Sequence, residues 1–122
     1  MLLRSNKNQV LGKRGEAFAA KFYRERGGQV LAANVHYAVG EIDLIVQEGA
    51  TIVFVEVKTR ASDAFGVAEA VTPRKLARMR KAAAQWLQDK PLSVVRFDVV
   101  ALVARGQGFE LTHYEGVEHG AR

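Results

Sequence analysis

Two opposite charges directly follow a strongly apolar stretch within residues 54–60, FVEVKTR. Residues 52–55 have the unbroken apolar character of a strand that is buried on both faces, and Glu56 and Lys58 come next. Because side chains alternate along a strand, these two charged residues lie on the same face. Either of them alone is most simply a charged residue exposed to water at the end of a strand. Whether the pair has a function depends on which other residues lie beside it.

Two further acidic residues can approach this pair. Asp43 lies in EIDLIVQ, a predicted strand that the short loop EGA joins to the next one. A hairpin around that loop can bring Asp43 beside Glu56, although the sequence leaves the register open. Glu16 lies in a predicted helix, at the edge of its apolar stripe rather than among its cations. The helix dipole alone also favours a glutamate in that half of the helix, so both explanations stand.

Carboxylates that converge repel one another and lose solvation, so a fold retains them mainly when a cation occupies the gap. Ligand sets made only of oxygen select Mg²⁺ or Mn²⁺ rather than Zn²⁺. A lysine beside them can orient a water molecule or stabilise charge on a phosphoryl group. The pattern therefore favours phosphodiester hydrolysis, with Glu56 holding a metal ion and Lys58 facing the nucleophile and the phosphate.

Hydrophobic periodicity predicts the elements that position these residues. In chain order they are a helix over residues 10–26, strands over 29–38, 41–47 and 51–60, a helix from Thr72 to about Asp89, and strands over 94–104 and 109–114. The apolar stripe of the first helix consists of Leu11, Phe18 and Phe22, widened by Ala19 and Tyr23. Residues 61–71 have no clear period and are expected to form a surface loop. The order α-β-β-β-α-β-β predicts an α/β fold, a mixed sheet with flanking helices.

Composition narrows the class of protein. A chain of 122 residues, 48% apolar and 25% charged, predicts one folded domain over residues 1–122. The absence of cysteine excludes disulfides and thiolate metal sites and fits a cytoplasmic location. The first ten residues do not have the pattern of a signal peptide or anchor, and no apolar run is long enough to cross a membrane. A net charge of +5 favours a polyanionic partner.

The second predicted helix, TPRKLARMRKAAAQWLQ, is amphipathic and basic. Its apolar arc holds Leu76, Met79, Ala83, Trp86 and Leu87, and its opposite arc holds Arg74, Arg78, Lys81 and Gln85. The basic arc is either a solvated face or a stripe that contacts nucleic-acid phosphates without reading sequence. Lys75, at the border of the apolar arc, can point towards the acidic residues instead.

Two other polar groups have predicted structural roles. Arg96 and Asp98 alternate with the apolar Phe97, so they share a face and we expect them to pair. His36, His113 and His119 have no metal-ligand spacing and are expected at the surface or in loops.

Five sequence blocks together resemble a known family. The blocks NQVLGKRGE, GEIDLI, VFVEVKTR, AVTPRKLARMRKAA and RFDVVAL occur in the order found in the YraN-like family, which is described as Holliday-junction-resolvase-like and belongs to the PD-(D/E)XK nuclease superfamily. The resemblance implies a restriction-endonuclease-like α-β-β-β-α-β core. It also implies Asp43 and Glu56 as metal ligands, Glu16 as the supporting helix acid and Lys58 as the catalytic lysine. The tail, LTHYEGVEHGAR, departs from the family pattern because it lacks an aromatic ending.

We therefore expect a Mg²⁺- or Mn²⁺-dependent, endonuclease-like protein that acts on DNA, with branched DNA as one candidate substrate. Arg74, Lys75, Arg78 and Lys81 are the expected nucleic-acid contacts. Symmetric cutting of a four-way junction requires two active sites, so the resemblance also suggests a homodimer. The alternative is a non-catalytic nucleic-acid-binding module that keeps the fold, and a metal-stabilised structural protein is a third interpretation.

Overall fold

The computed structural model describes residues 7–62 and 72–117, and its elements follow the predicted order. They are α1 (Lys7–Glu25), β1 (Gln29–Tyr37), β2 (Gly40–Glu48), β3 (Thr51–Arg60), α2 (Pro73–Leu87), β4 (Val94–Arg105) and β5 (Gly108–Tyr114). The predicted mixed α/β architecture is confirmed, and it is compatible with a restriction-endonuclease-like core. Of the predicted loop at 61–71, residues 63–71 lie outside the described part of the chain.

The strands form one five-stranded sheet in the order β1-β2-β3-β4-β5. The β3–β4 pair is parallel and the other three pairs are antiparallel. A parallel pair needs a crossover connection, which is why α2 stands between β3 and β4 in the sequence. The last strand pairs with β4 from Gly108 to Tyr114, so the unusual tail does not prevent β5 from docking.

Each helix covers one face of the sheet. Val53, Val55 and Val57 share a buried cluster with Ala19 and Tyr23 of α1. Ile52 and Phe54, which alternate with those valines, share a second cluster with residues of α2. The central strand β3 is therefore buried on both faces, which explains its continuous apolar run.

The residues at the centre of the buried face of α1 are not the ones that the predicted apolar stripe placed there. Gly15, Ala19 and Tyr23, spaced four residues apart, are fully buried, whereas Phe18 and Phe22 are half-buried at the border. Gly15 and Ala19 are small, which lets the helix lie close to the sheet. A Cβ added at Gly15 would collide with the side chain of Thr59. This close approach brings the next residue of α1, Glu16, towards the end of β3.

The second helix begins as predicted and is held closely against β2. Thr72 caps α2 by accepting a 3.1 Å hydrogen bond from the backbone N–H of Lys75 onto its side-chain oxygen, and Pro73 occupies the first turn. A Cβ added at Gly40 would collide with the backbone carbonyl of Arg78. The start of β2 is therefore in direct contact with α2. No described helix is long and apolar enough to cross a membrane.

A buried polar network lies under α1. Asp98 is fully buried and accepts hydrogen bonds from Arg96, from the Tyr23 hydroxyl at 2.8 Å and from the backbone N–H of Gly116. The predicted Arg96–Asp98 pair is thus confirmed. Burial alone would raise the pKa of Asp98, but these bonds and one from His113 hold the pKa at about 2.

The expected surface position of His113 is wrong. Its side chain is 13% exposed, its Nε2 lies 2.8 Å from Oδ2 of Asp98, and Arg26 lies 3.0 Å from its Nδ1. The cause is tertiary, because Arg26, directly after the end of α1, and Asp98 of β4 both contact a strand that looks solvent-facing in the sequence. His36 is exposed as expected, and His119 lies outside the described residues.

Candidate active site

The candidate site forms where β2 separates from β3. The ladder between the two strands runs from Glu48 opposite Thr51 to Leu44 opposite Val55. Beyond it the backbone N–H of Val57 donates a 2.7 Å hydrogen bond to Oδ2 of Asp43. A side-chain carboxylate thus replaces a backbone acceptor where the ladder ends.

Acidic groups from both faces of the sheet lie near this point. Glu56 faces α2 and forms an ion pair with Lys75, with 3.4 Å between Nζ and Oε2. Glu16 belongs to α1, on the other face, and lies within electrostatic range of Asp43. The site therefore draws on both helices and both strands, although these residues are widely separated in the chain.

Asp43 is destabilised as an anion in the absence of a bound cation. Its pKa is raised to about 7, first by burial and then by the negative charge of Glu56. The hydrogen bond from Val57 opposes the shift, while Glu16 and Glu41 add smaller repulsions. A divalent cation at this position would remove the repulsion.

Glu56 is buried like Asp43, but two lysines offset more of the cost of its negative charge. Burial raises the pKa of its carboxyl group, whereas Lys75 and then Lys58 lower it. Its side chain is only 19% exposed. The predicted neighbourhood of Asp43, Glu56 and Lys58 is therefore present, and Lys75 is a fourth member.

Lys58 lies between acids and other cations. Burial lowers the pKa of its ammonium group, Lys75 and Arg60 lower it further, and Glu56 and Asp43 raise it. Its positive charge is thus positioned beside the two carboxylates. The side chain is partly exposed, so an anionic substrate could reach it.

Glu41 and Arg60 are electrostatic neighbours of the site that were not among its predicted residues. Glu41 acts electrostatically on both Asp43 and Glu56, but its side chain is 63% exposed and lies 3.0 Å from the ring of His36. The signal available in the sequence was its position two residues before Asp43, on the same predicted face. We regard it as a contributor to the negative potential of the site.

The donor atoms present fit a hard divalent cation. Asp43 and Glu56 offer carboxylate oxygens, and Mg²⁺ is usually held by one or two carboxylates together with water and substrate phosphates. Within residues 7–62 and 72–117, no three histidine, cysteine or acidic side chains are close enough to form a metal site by themselves. The role of Glu16 as a third ligand stays a prediction.

The basic face of α2 has the predicted orientation. Arg74, Arg78 and Lys81 are exposed, while Leu76, Met79 and Ala83 are buried against the sheet. Lys75 differs from them because it contacts Glu56. Of the five cations of α2, three face outward, Lys75 is directed at the acidic residues, and Arg80 lies over the ring of Phe97, 5.8 Å from its centroid.

Comparison with known proteins assigns the chain to a family. A family model described as an uncharacterised protein family, UPF0102, matches residues 15–102. The chain belongs to the UPF0102 family. This YraN-like family is part of the PD-(D/E)XK nuclease-like superfamily, as the five sequence blocks implied.

Similar UPF0102 proteins occur in Corynebacterium and Mycolicibacterium. The chain is 50% identical to one from Corynebacterium efficiens, with 93% of this chain and 96% of the relative covered. It is 47% identical to one from Corynebacterium diphtheriae, with 93% and 95% covered. A UPF0102 protein of Mycolicibacterium gilvum is 44% identical, with 95% and 99% covered. Their names state the family and no activity.

Proposed function

We propose that this UPF0102 protein is a Mg²⁺- or Mn²⁺-dependent endonuclease that hydrolyses phosphodiester bonds of DNA. The observation that carries the proposal is the convergence of Asp43, Glu56 and Lys58 at the point where β2 leaves β3. Two repelling carboxylates are costly to a fold unless a cation binds them, and a lysine next to them can serve a phosphate substrate.

Asp43 and Glu56 would hold the divalent cation, with Glu16 supporting them from α1. When bound, the cation supplies charge neutralisation for the phosphate and a more acidic water molecule. The N–H of Val57 engages Oδ2 of Asp43 and thereby restricts the orientation of this carboxylate. Lys58 would place its ammonium group beside the scissile phosphate and orient the attacking water.

The exposed cations of α2 would position the DNA. Arg74, Arg78 and Lys81 lie on the helix whose Lys75 contacts Glu56, so a backbone crossing this helix passes close to the acidic residues. Such contacts recognise phosphates and leave base sequence unread. Branched DNA is a candidate substrate, and its symmetric cleavage would need the two active sites of a homodimer.

The decisive experiment offers linear, flap and four-way DNA to the protein with Mg²⁺, with Mn²⁺ and with chelator. Cleavage that needs the metal ion and is lost in Glu56→Gln supports the proposal. The absence of cleavage from every substrate with either metal contradicts it. Light scattering of the protein with and without four-way DNA tests the homodimer.

A second candidate function is a nucleic-acid-binding module without catalysis. Two observations favour it: Lys75 already neutralises part of the charge of Glu56, and the described residues do not form a three-ligand metal site. This alternative predicts that all DNA substrates bind with strong salt dependence and that none is cut. The substrate panel with parallel binding measurements separates the two functions.

A further inference from the structure

A polar cleft, lined in part by Lys58, opens at the end of β3. It lies between the beginning of α1 and the end of β3 and has a volume of about 410 Å³. The described residues that line it are Asn8, Leu11, Lys58, Thr59, Arg60, Ala61 and Ser62. Of the described lining residues, the proposed function assigns a role only to Lys58.

The lining residues suit an anion. Lys58 and Arg60 are cationic residues, and Thr59, Ser62 and Asn8 are residues whose side chains can form hydrogen bonds. None of the described lining residues carries a carboxylate, and the first turn of α1 has no acidic residue. This chemistry contrasts with the neighbouring acids, which would repel a phosphate in the absence of metal.

Lys58 connects the cleft with the candidate active site. It lines the cleft and is within electrostatic range of both Glu56 and Asp43. Arg60 and Lys75 are also close enough to repel the charge of Lys58. Lys58 and Arg60, the two cations that line the cleft, favour an anionic partner there.

The cleft is larger than a single phosphate requires. Small-molecule sites in proteins have volumes of about 300–1,000 Å³, and this cleft is at the lower end of that range. It therefore has room for a phosphate together with its sugar. Leu11 and Ala61 supply apolar surface against which the sugar could pack. Asn8, Arg60 and Ser62 also interact with other residues of the protein.

We propose that this cleft binds the sugar–phosphate unit next to the phosphate that Lys58 contacts. Arg60 would bind the neighbouring phosphate, helped by the hydroxyl of Ser62. This inference rests on the proposed function, because it assumes that a nucleic-acid backbone passes Lys58. It assigns to Arg60 a substrate-binding role that is independent of base sequence.

The first test uses inorganic phosphate and metal-free protein labelled with ¹⁵N. We expect saturable shifts of the backbone amide signals around Asn8 and Thr59–Ser62, measured against chloride at equal ionic strength. Arg60→Gln should weaken phosphate binding by about tenfold, because a charge-assisted hydrogen bond is lost. Ser62→Ala should weaken it less, and it replaces Arg60→Gln in this test if that variant does not fold.

The second test measures metal-free binding of a DNA duplex over a range of salt concentrations. Arg60→Gln should lower the slope of log K against log salt by about one, whereas Arg60→Lys should restore it. Arg24→Gln is the matched control, because it removes the same charge from the exposed side of α1, and it should leave the slope unchanged. Equal slopes for Arg60→Gln and wild type would overturn the inference.

The outcomes distinguish this inference from the proposed function. Phosphate shifts confined to the cleft in a protein that cuts no DNA would support the subsite and contradict the endonuclease. Metal-dependent cleavage in a protein whose phosphate shifts lie elsewhere, or are the same in Arg60→Gln, would contradict the subsite alone. An adventitious ion would produce shifts that do not saturate, and that result also counts against the subsite.

Discussion

The backbone N–H of Val57 donates a 2.7 Å hydrogen bond to Oδ2 of Asp43, directly beyond the last pair of the β2–β3 ladder. This bond makes an acidic side chain part of the sheet edge. The same carboxylate suffers from burial and from repulsion by Glu56, so one hydrogen bond holds an otherwise unfavourable charge in place. The stability of the metal-free protein therefore depends on the charge at position 43.

Asp43→Asn should stabilise the metal-free protein by about 1–3 kcal/mol at neutral pH, because it removes a buried charge and retains an oxygen for the Val57 N–H. The same change should abolish most of the rise in melting temperature that millimolar Mg²⁺ or Mn²⁺ produces in wild type. Thermal unfolding in chelator and in metal measures both effects. Asp89→Asn, on an 83% exposed side chain, is the control. Equal metal responses in wild type and Asp43→Asn would show that Asp43 is no ligand.

Glu56→Gln and Lys58→Ala should separate catalysis from binding. Glu56→Gln removes a negative charge and a ligand at nearly constant shape, so metal-free DNA affinity should stay equal or increase while cleavage is lost. Lys58→Ala removes a cation near the phosphate, so it should weaken DNA binding slightly and also stop cleavage. Fluorescence anisotropy in chelator and cleavage in metal provide the two readouts. Cleavage by Glu56→Gln at the wild-type rate would refute the catalytic assignment.

The combined variant Arg78→Ala, Lys81→Ala should reduce the salt dependence of DNA binding. Loss of two phosphate contacts on the exposed face of α2 lowers the slope of log K against log salt by about one to two. Lys21→Ala combined with Arg24→Ala removes the same charge from the exposed face of α1 and is the control. If both double variants give the wild-type slope, the basic face of α2 is only a solvated surface.

Two glycines should be required for helix docking. Ala at position 15 would press against Thr59, and Ala at position 40 would meet the carbonyl of Arg78, so Gly15→Ala and Gly40→Ala should each destabilise the protein by about 1–3 kcal/mol. Gly12→Ala is the matched control, because its added Cβ meets nothing within 4 Å. It should increase stability by up to about 1 kcal/mol through helix propensity. Denaturant unfolding of the three variants measures this contrast, and equal effects at all three positions would contradict it.

Asp98 should dominate the response to acid. Its folded-state pKa of about 2 lies below its ordinary value of 3.8, so its stabilisation is complete above pH 3.8 and is lost as the pH falls towards 2. Asp98→Asn should cost about 2–3 kcal/mol at neutral pH, because the half-buried Arg96 would keep only Glu48 as an anionic partner. It should also flatten the decline in stability between pH 4 and 2.

Unfolding by urea across this pH range measures the Asp98 prediction. Asp89→Asn, at an exposed side chain, should leave the stability at neutral pH unchanged. A variant Asp98→Asn that is as stable as wild type at neutral pH would show that the network under α1 contributes little.

Local patterns in the sequence determined the order of the elements and part of the site. Burial of both faces appears as the continuous apolar run of β3, and alternation places Glu56 and Lys58 on one face. Thr72 followed by Pro73 marks the start of α2, because capping depends on neighbours a few residues away. These features depend on short-range geometry, which the order of residues alone specifies.

Only the tertiary structure decided how distant segments meet. The point at which the β2–β3 ladder ends determines that Asp43 reaches the N–H of Val57. Gly40 lies in close contact with α2, the helix whose Lys75 pairs with Glu56. The burial of His113 likewise depends on Asp98 and Arg26, which lie on other elements. Strand register, helix docking distance and the burial of a single polar side chain such as His113 result from the packing of the whole chain, so no local sequence pattern encodes them.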